Sequence, residues 1–88
     1  MKIEFRKSFE KDLRKIKDKS LLGKIKALLA IVEAANSLED INNLKKIKAE
    51  ADYYRIRIGD YRIGFLFDSD KLIFIRFLHR KDIYKYFP

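Results

Sequence analysis

The sequence has no cysteine. That absence removes disulfides, thiolate metal sites and thiol nucleophiles together, and it suits a reducing compartment. A single histidine, His79, leaves no multi-histidine metal site. Proline occurs only at position 88 and glycine only at 23, 59 and 64, so nothing marks a linker, and no internal repeat or low-complexity tract is visible. No apolar run is long enough to span a bilayer. The opening MKIEFRKSFEKDL passes from a short alternating run into a charged amphipathic stretch, without the apolar centre of a secretory signal. A cytoplasmic protein is expected. Acidic residues are in the minority, 13 against 21 lysines and arginines, for a formal net charge of +8 and a pI near 9.8. On so small a chain that bias suggests nucleic acid, an anionic surface or an acidic protein as partner, unless lysine serves only solubility.

What is present fits one domain, 1–88, with one modest core. Residues 2–5 alternate, Ile3 and Phe5 on one side, as a short half-buried strand does. Ser8 is a candidate helix cap with Glu10 in the first turn, and Phe9, Leu13 and Ile16 follow as an apolar stripe. A second helix is predicted from about Ser20 to Ala35, its stripe formed by Leu21, Ile25, Leu28, Val32 and Ala35. The two make an antiparallel helical hairpin. Ser37 is expected to cap a third short helical piece holding Leu38, Ile41 and Leu44, and 45–52 reads as a connection.

From residue 53 the period becomes two. Tyr54, Ile56 and Ile58, then Tyr61, Ile63, Phe65 and Phe67, take one face of two strands joined at Gly59-Asp60, a two-residue hairpin loop with glycine first. Residues 71–79, KLIFIRFLH, form a further strand. The expected fold is α+β, β-α-α-β-β-β, an antiparallel sheet with the helical hairpin packed on one face.

The two-residue loop sets Arg57 opposite Arg62 and Arg55 opposite Gly64. Like charges directly opposite destabilise a sheet, whereas an anion between them reverses the sign. Guanidinium matches phosphate with paired hydrogen bonds and stays charged at any working pH. Gly64 fits the same idea by leaving room for a close approach to the backbone. The reading is a phosphate-binding sheet face; the competing one is a solvated face whose arginines pair with acidic residues elsewhere. An odd-length loop before the last strand would place Arg76 on the arginine face, and a two-residue loop at Ser69-Asp70 would bury it at high cost. The odd loop is therefore expected.

Leu44-Lys45, then YYRIRIGDYRIGF, then an apolar strand ending in HRKDIY, together with the element order, resemble the RelE side of the RelE/ParE toxin superfamily over essentially the whole chain. The resemblance implies a ribosome-dependent mRNA endoribonuclease, the toxin of a toxin–antitoxin pair, cutting mRNA in the ribosomal A site without metal or cofactor. By position it implies catalytic roles for Arg55, Arg57, Arg62, Arg80 and Tyr84. RNA carries its own nucleophile, the 2′-hydroxyl, so cleavage needs a base, stabilisation of the phosphorane and an acid. Both paired strand positions are arginine where other members carry lysine, and arginine is a poor base. Tyr84 and His79 are the remaining candidates. Imidazole titrates near neutrality, yet strand alternation would point His79 away from the arginine face. Lys46, Lys48, Arg76 and Lys81 are candidate RNA contacts, with solvated surface as the alternative for the lysines. A ParE-like inhibitor of DNA gyrase and a non-catalytic RNA-binding relative are the competing functions. The expected partners are mRNA, ribosome and an antitoxin whose acidic or amphipathic segment covers the arginine face.

Overall fold

The computed structural model describes residues 1–48 and 51–88. The first alternating run forms β1 (Lys2–Phe5), and the charged stretch after it forms α1 (Lys7–Arg14). Arg6, not Ser8, is the cap residue of α1; the Ser8 hydroxyl lies one residue inside the helix and donates to the Ile75 carbonyl at 2.5 Å. α2 (Lys19–Ala34) starts where Asp18 accepts from the backbone N–H groups of Ser20 and Leu21, satisfying two of the donors a helix start leaves free.

After α2 the chain makes one 3-10 turn, Leu38–Asp40, with no side-chain cap from Ser37. Leu44 does not continue that turn: it opens a short strand, β2 (Leu44–Lys46), within what the sequence reads as helix and connection. The rest of that connection includes residues 49 and 50, which lie outside the described residues. Then come β3 (Tyr53–Ile58), β4 (Tyr61–Asp68), β5 (Lys71–His79) and a single helical turn, α3 (Ile83–Tyr86). The sheet has five strands in the order β1-β5-β4-β3-β2. All neighbouring pairs are antiparallel except β1 with β5, which run parallel, so the sheet is mixed where an antiparallel one was expected. The α+β class and the order of the expected elements hold.

The β3–β4 hairpin has the anticipated register, Arg57 opposite Arg62 and Arg55 opposite Gly64. Gly59 takes φ 59° at the turn, a conformation glycine adopts without strain. The β4–β5 connection differs from expectation. It is a two-residue turn, with Ser69 and Asp70 both at positive φ (50° and 66°), as in the turns that match strand twist. Arg76 escapes burial in the core because the register slips by one residue between Gly64 and Phe65: Gly64 pairs with Arg76 and Phe65 with Phe74, leaving Ile75 unpaired. This bulge switches the facing of the strand midway, so Leu72 and Phe74 before it and Phe77 after it all enter one core.

That core joins Phe9, Ile25 and Val32 from the helices to Ile56, Ile63, Phe65, Leu72, Phe74 and Phe77 from the sheet. Phe9 stacks on Phe74 (centroids 5.4 Å) and Tyr61 on Phe77 (5.0 Å). Each such side chain contributes about 1.5–3 kcal/mol by leaving water. Beyond Phe74 no strand among the described residues pairs with that edge of β5, and α1 packs against the strand. Asp12, 6% exposed, accepts from the backbone N–H of Phe77 at 2.9 Å and from the Arg76 guanidinium at 2.8 and 3.2 Å. A buried carboxylate thus satisfies a free strand donor and a cation together.

Candidate active site

The face of the hairpin turned away from the helices carries the basic residues, and the two-residue turn places them. Arg57 and Arg62 are cross-strand partners. Asn43, held at φ 64° just before β2, organises two of the arginines. Its carbonyl accepts from Arg55 Nη1 at 2.8 Å and from the Arg57 backbone N–H at 3.1 Å, while its Oδ1 accepts from Arg57 Nη2 at 3.3 Å. Arg62 donates from Nη1 to the carbonyls of Gly59 and Tyr61, both at 2.9 Å. Arg80 is brought beside the turn by its own N–H, which donates to the Asp60 carbonyl at 2.8 Å.

These anchors are carbonyl and amide oxygens, and no carboxylate is bonded to Arg55, Arg57, Arg62 or Arg80 among the described residues. The cations are therefore oriented without being neutralised. The Arg55 Nε is sealed from solvent and has no hydrogen-bond partner among the described residues. The Arg62 guanidinium lies below the usual arginine range, through burial first and the charge of Arg55 next; the Tyr84 phenol opposes the shift, and Arg57 and Arg80 add to it. Cross-strand pairing, the shared Asn43 anchor and the bond from Arg80 to Asp60 bring Arg55, Arg57, Arg62 and Arg80 to the same hairpin. A cleft of about 820 Å³ at the turn end of the hairpin is lined by Arg57, Arg62 and Arg80 together with Lys24, Leu28 and Ile31 of α2.

Tyr84 stands on α3 and is 59% exposed. His79 does not join the cluster. It pairs with Tyr61, whose ring packs into the core, and meets that ring edge-on at 5.4 Å, while its Nδ1 accepts from the Lys81 N–H. Arg76 is committed to Asp12, and that hydrogen bond, first among the causes, raises the Arg76 pKa. Lys46 faces the Tyr54 side of the sheet, its Nζ 5.8 Å from that ring's centroid and 3.8 Å from the Asp52 carboxylate. Lys45 instead pairs with Arg55 and shares its face. Lys48 and Lys81 are exposed. Gly64 leaves room, but for a side chain: the Phe87 ring fills the space above it. Among the described residues no three of His, Asp and Glu gather where they could hold a metal ion.

Asn43 and Lys45 are members of this surface that the sequence pattern missed. A three-residue strand shows no period, and Asn43 announces only a turn. Asn is enriched at positive φ, which is the one signal that could have singled it out.

Comparison with known proteins gives a consistent result. Residues 3–84 match the family model of the ParE toxin of type II toxin–antitoxin systems. The chain is 46% identical over 89 residues to Toxin RelE3 of Methanocaldococcus jannaschii, with 100% of both chains covered. It superposes on the RelB–RelE antitoxin–toxin complex from Methanococcus jannaschii with a TM-score of 0.80 at 44% identity, covering 97% of this chain and 99% of that one. The YoeB–YefM complex from Staphylococcus aureus, at 22% identity and TM-score 0.70 over 90% of this chain and 95% of that one, shares the fold. The chain belongs to the RelE/ParE family and is a RelE-type toxin of a type II toxin–antitoxin system.

Proposed function

We propose that this toxin is a ribosome-dependent mRNA endoribonuclease that cleaves at the ribosomal A site by directing the RNA 2′-hydroxyl against the adjacent phosphate. The observation that carries the reading is the grouping of Arg55, Arg57, Arg62 and Arg80 on one hairpin by strand register and carbonyl anchors, with no carboxylate bonded to them among the described residues. A sheet that keeps Arg57 opposite Arg62 sustains a repulsion that a phosphate relieves. In the phosphorane the charge on the non-bridging oxygens grows, and donors already aimed at it lower the barrier without reorganising. Removing one such donor typically costs about 10²- to 10³-fold in rate. Tyr84, exposed on α3, is the group left to exchange a proton with the 2′-oxygen or the departing 5′-oxygen, since His79 lies on the other face. Proton transfer of this kind contributes about 10²- to 10⁴-fold. The substrate is mRNA on the ribosome, and we assign the exposed Lys45, Lys48 and Lys81 to contacts with RNA phosphates. The cognate partner is an antitoxin, as RelB is in the M. jannaschii RelB–RelE complex, and we assign it the arginine face on charge grounds. A ribosomal substrate implies action in the cytoplasm.

The match to a ParE family model supports a second reading, inhibition of DNA gyrase. Primer extension on a defined mRNA in reconstituted translation, with and without ribosomes, separates the two. Cuts within the A-site codon that require ribosomes support the endonuclease. Intact mRNA together with loss of gyrase supercoiling supports the second reading and makes the arginine face a protein-binding surface.

A further inference from the structure

We propose that Phe87, seated in the notch that Gly64 leaves on β4, is the positioning residue for Tyr84; this rests on the catalytic reading of Tyr84 given above. A helix of four residues has no stability of its own, so something else must hold α3. Two side chains do. Ile83 is 0% exposed and Phe87 3% exposed, whereas Tyr84 and Tyr86 between them are 59% and 61% exposed. Phe87 rests flush on the sheet: a Cβ at position 64 would lie 2.6 Å from its Cδ2, 2.7 Å from Cε2 and 2.8 Å from Cγ. Its ring also meets Tyr53 edge-on, with centroids 5.6 Å apart. The backbone closes the turn, the Phe87 N–H donating to the Ile83 carbonyl at 2.9 Å and the Lys85 and Tyr86 N–H groups to the Asp82 carbonyl at 3.0 and 3.2 Å.

The seat and the arginines share one strand. Gly64 and Arg62 are two residues apart on the same face of β4, a spacing of roughly 7 Å. Gly64 is also the cross-strand partner of Arg55. The notch therefore fixes the height of α3 against the arginine rows, and with it the place of the Tyr84 hydroxyl. Only glycine at 64 permits the ring to lie this close. The side chain that Gly64 makes room for is thus itself part of the site's geometry.

The test compares Phe87→Ala, Phe87→Leu, Gly64→Ala and Tyr84→Phe, with the Phe87→Ala/Tyr84→Phe double variant, in the full chain. Two readouts are taken: single-turnover cleavage of mRNA on programmed ribosomes at saturating toxin, and hydrogen exchange of the amides of residues 83–87. A misplaced group commonly loses about 10²-fold in rate. Phe87→Ala and Gly64→Ala should each lose about that much, with ribosome affinity unchanged and exchange at 83–87 accelerated. Phe87→Leu, which refills the notch, should recover most of the rate. The double variant should be no slower than Tyr84→Phe alone. Multiplying losses in the double variant, a lost affinity in place of a lost rate, or unchanged exchange in Phe87→Ala and Gly64→Ala would each overturn the proposal. If wild type cleaves nothing, the endonuclease reading fails by itself, and the exchange measurement still decides whether Phe87 holds α3.

Discussion

Replacing Asp12 with alanine should destabilise the fold without touching the arginine cluster. Asp12 is 6% exposed and accepts three hydrogen bonds, two from Arg76 and one from the Phe77 backbone. Removing one partner of a buried ion pair costs about 3–5 kcal/mol, because the other charge is left without compensation. Here the discount is real, since the Arg76 side chain is 26% exposed and water can solvate its guanidinium. The Phe77 N–H has no such recourse while α1 covers it, and an orphaned donor costs about 1–3 kcal/mol. Together these give a loss of about 2–3 kcal/mol for Asp12→Ala. In a domain of this size 1 kcal/mol moves the melting midpoint by about 4–8 °C, so the expected drop is roughly 10–20 °C. Asp12→Asn, which keeps one acceptor for the Phe77 N–H, should fall between wild type and Asp12→Ala. Thermal unfolding followed by circular dichroism reads both. If Asp12→Ala melts with wild type, the carboxylate is not fastening α1 to the β5 edge, and Arg76 regains its place among the candidate RNA contacts.

Inorganic phosphate should raise the melting midpoint beyond what equal ionic strength of chloride achieves. At ten times its Kd the gain is about 1.4 kcal/mol, and Arg62→Gln should abolish it in a thermal-shift titration. Arg57→Gln should separate stability from activity: losing the like-charge pair stabilises by roughly 0.2–1 kcal/mol, partly offset by the lost Asn43 hydrogen bond, while cleavage falls. Asn43→Ala should destabilise by about 1–2 kcal/mol, because alanine is strained at φ 64°. Asn43→Gly should melt near wild type and keep the backbone carbonyl that orients Arg55. A chemical denaturation series checks both Asn43 variants.

The period of two in residues 53–67 carried most of what was legible. Because the Gly59-Asp60 loop has only one natural register, Arg57 opposite Arg62 could be read directly, and with it the face on which the cluster lies. The apolar stripes located Phe9, Ile25 and Val32 in the core for the same reason. What escaped depended on contacts between distant segments. The parallel docking of β1 on β5 leaves no local trace. The bulge at Ile75 reverses facing within one strand, so a two-residue turn and a surface Arg76 coexist, which alternation alone forbids. Asp12 reads as one more charge on a charged helix until Phe77 arrives beside it. Gly64 signals close approach correctly, but the sequence does not say that Phe87 is what approaches. β2 is too short to show a period, so the sequence does not reveal that Lys45, opposite Arg55, shares the arginine face while Lys46 lies opposite Tyr54.

The most direct test of the account is the single-turnover rate of mRNA cleavage on programmed ribosomes by wild type and Arg62→Ala, with folding of both verified by thermal unfolding. The account predicts A-site cleavage by wild type and a rate lower by about 10²- to 10³-fold for the variant, at comparable ribosome affinity. A folded Arg62→Ala protein that cleaves at the wild-type rate would contradict it, because the arginine face would then not be where the scissile phosphate is held.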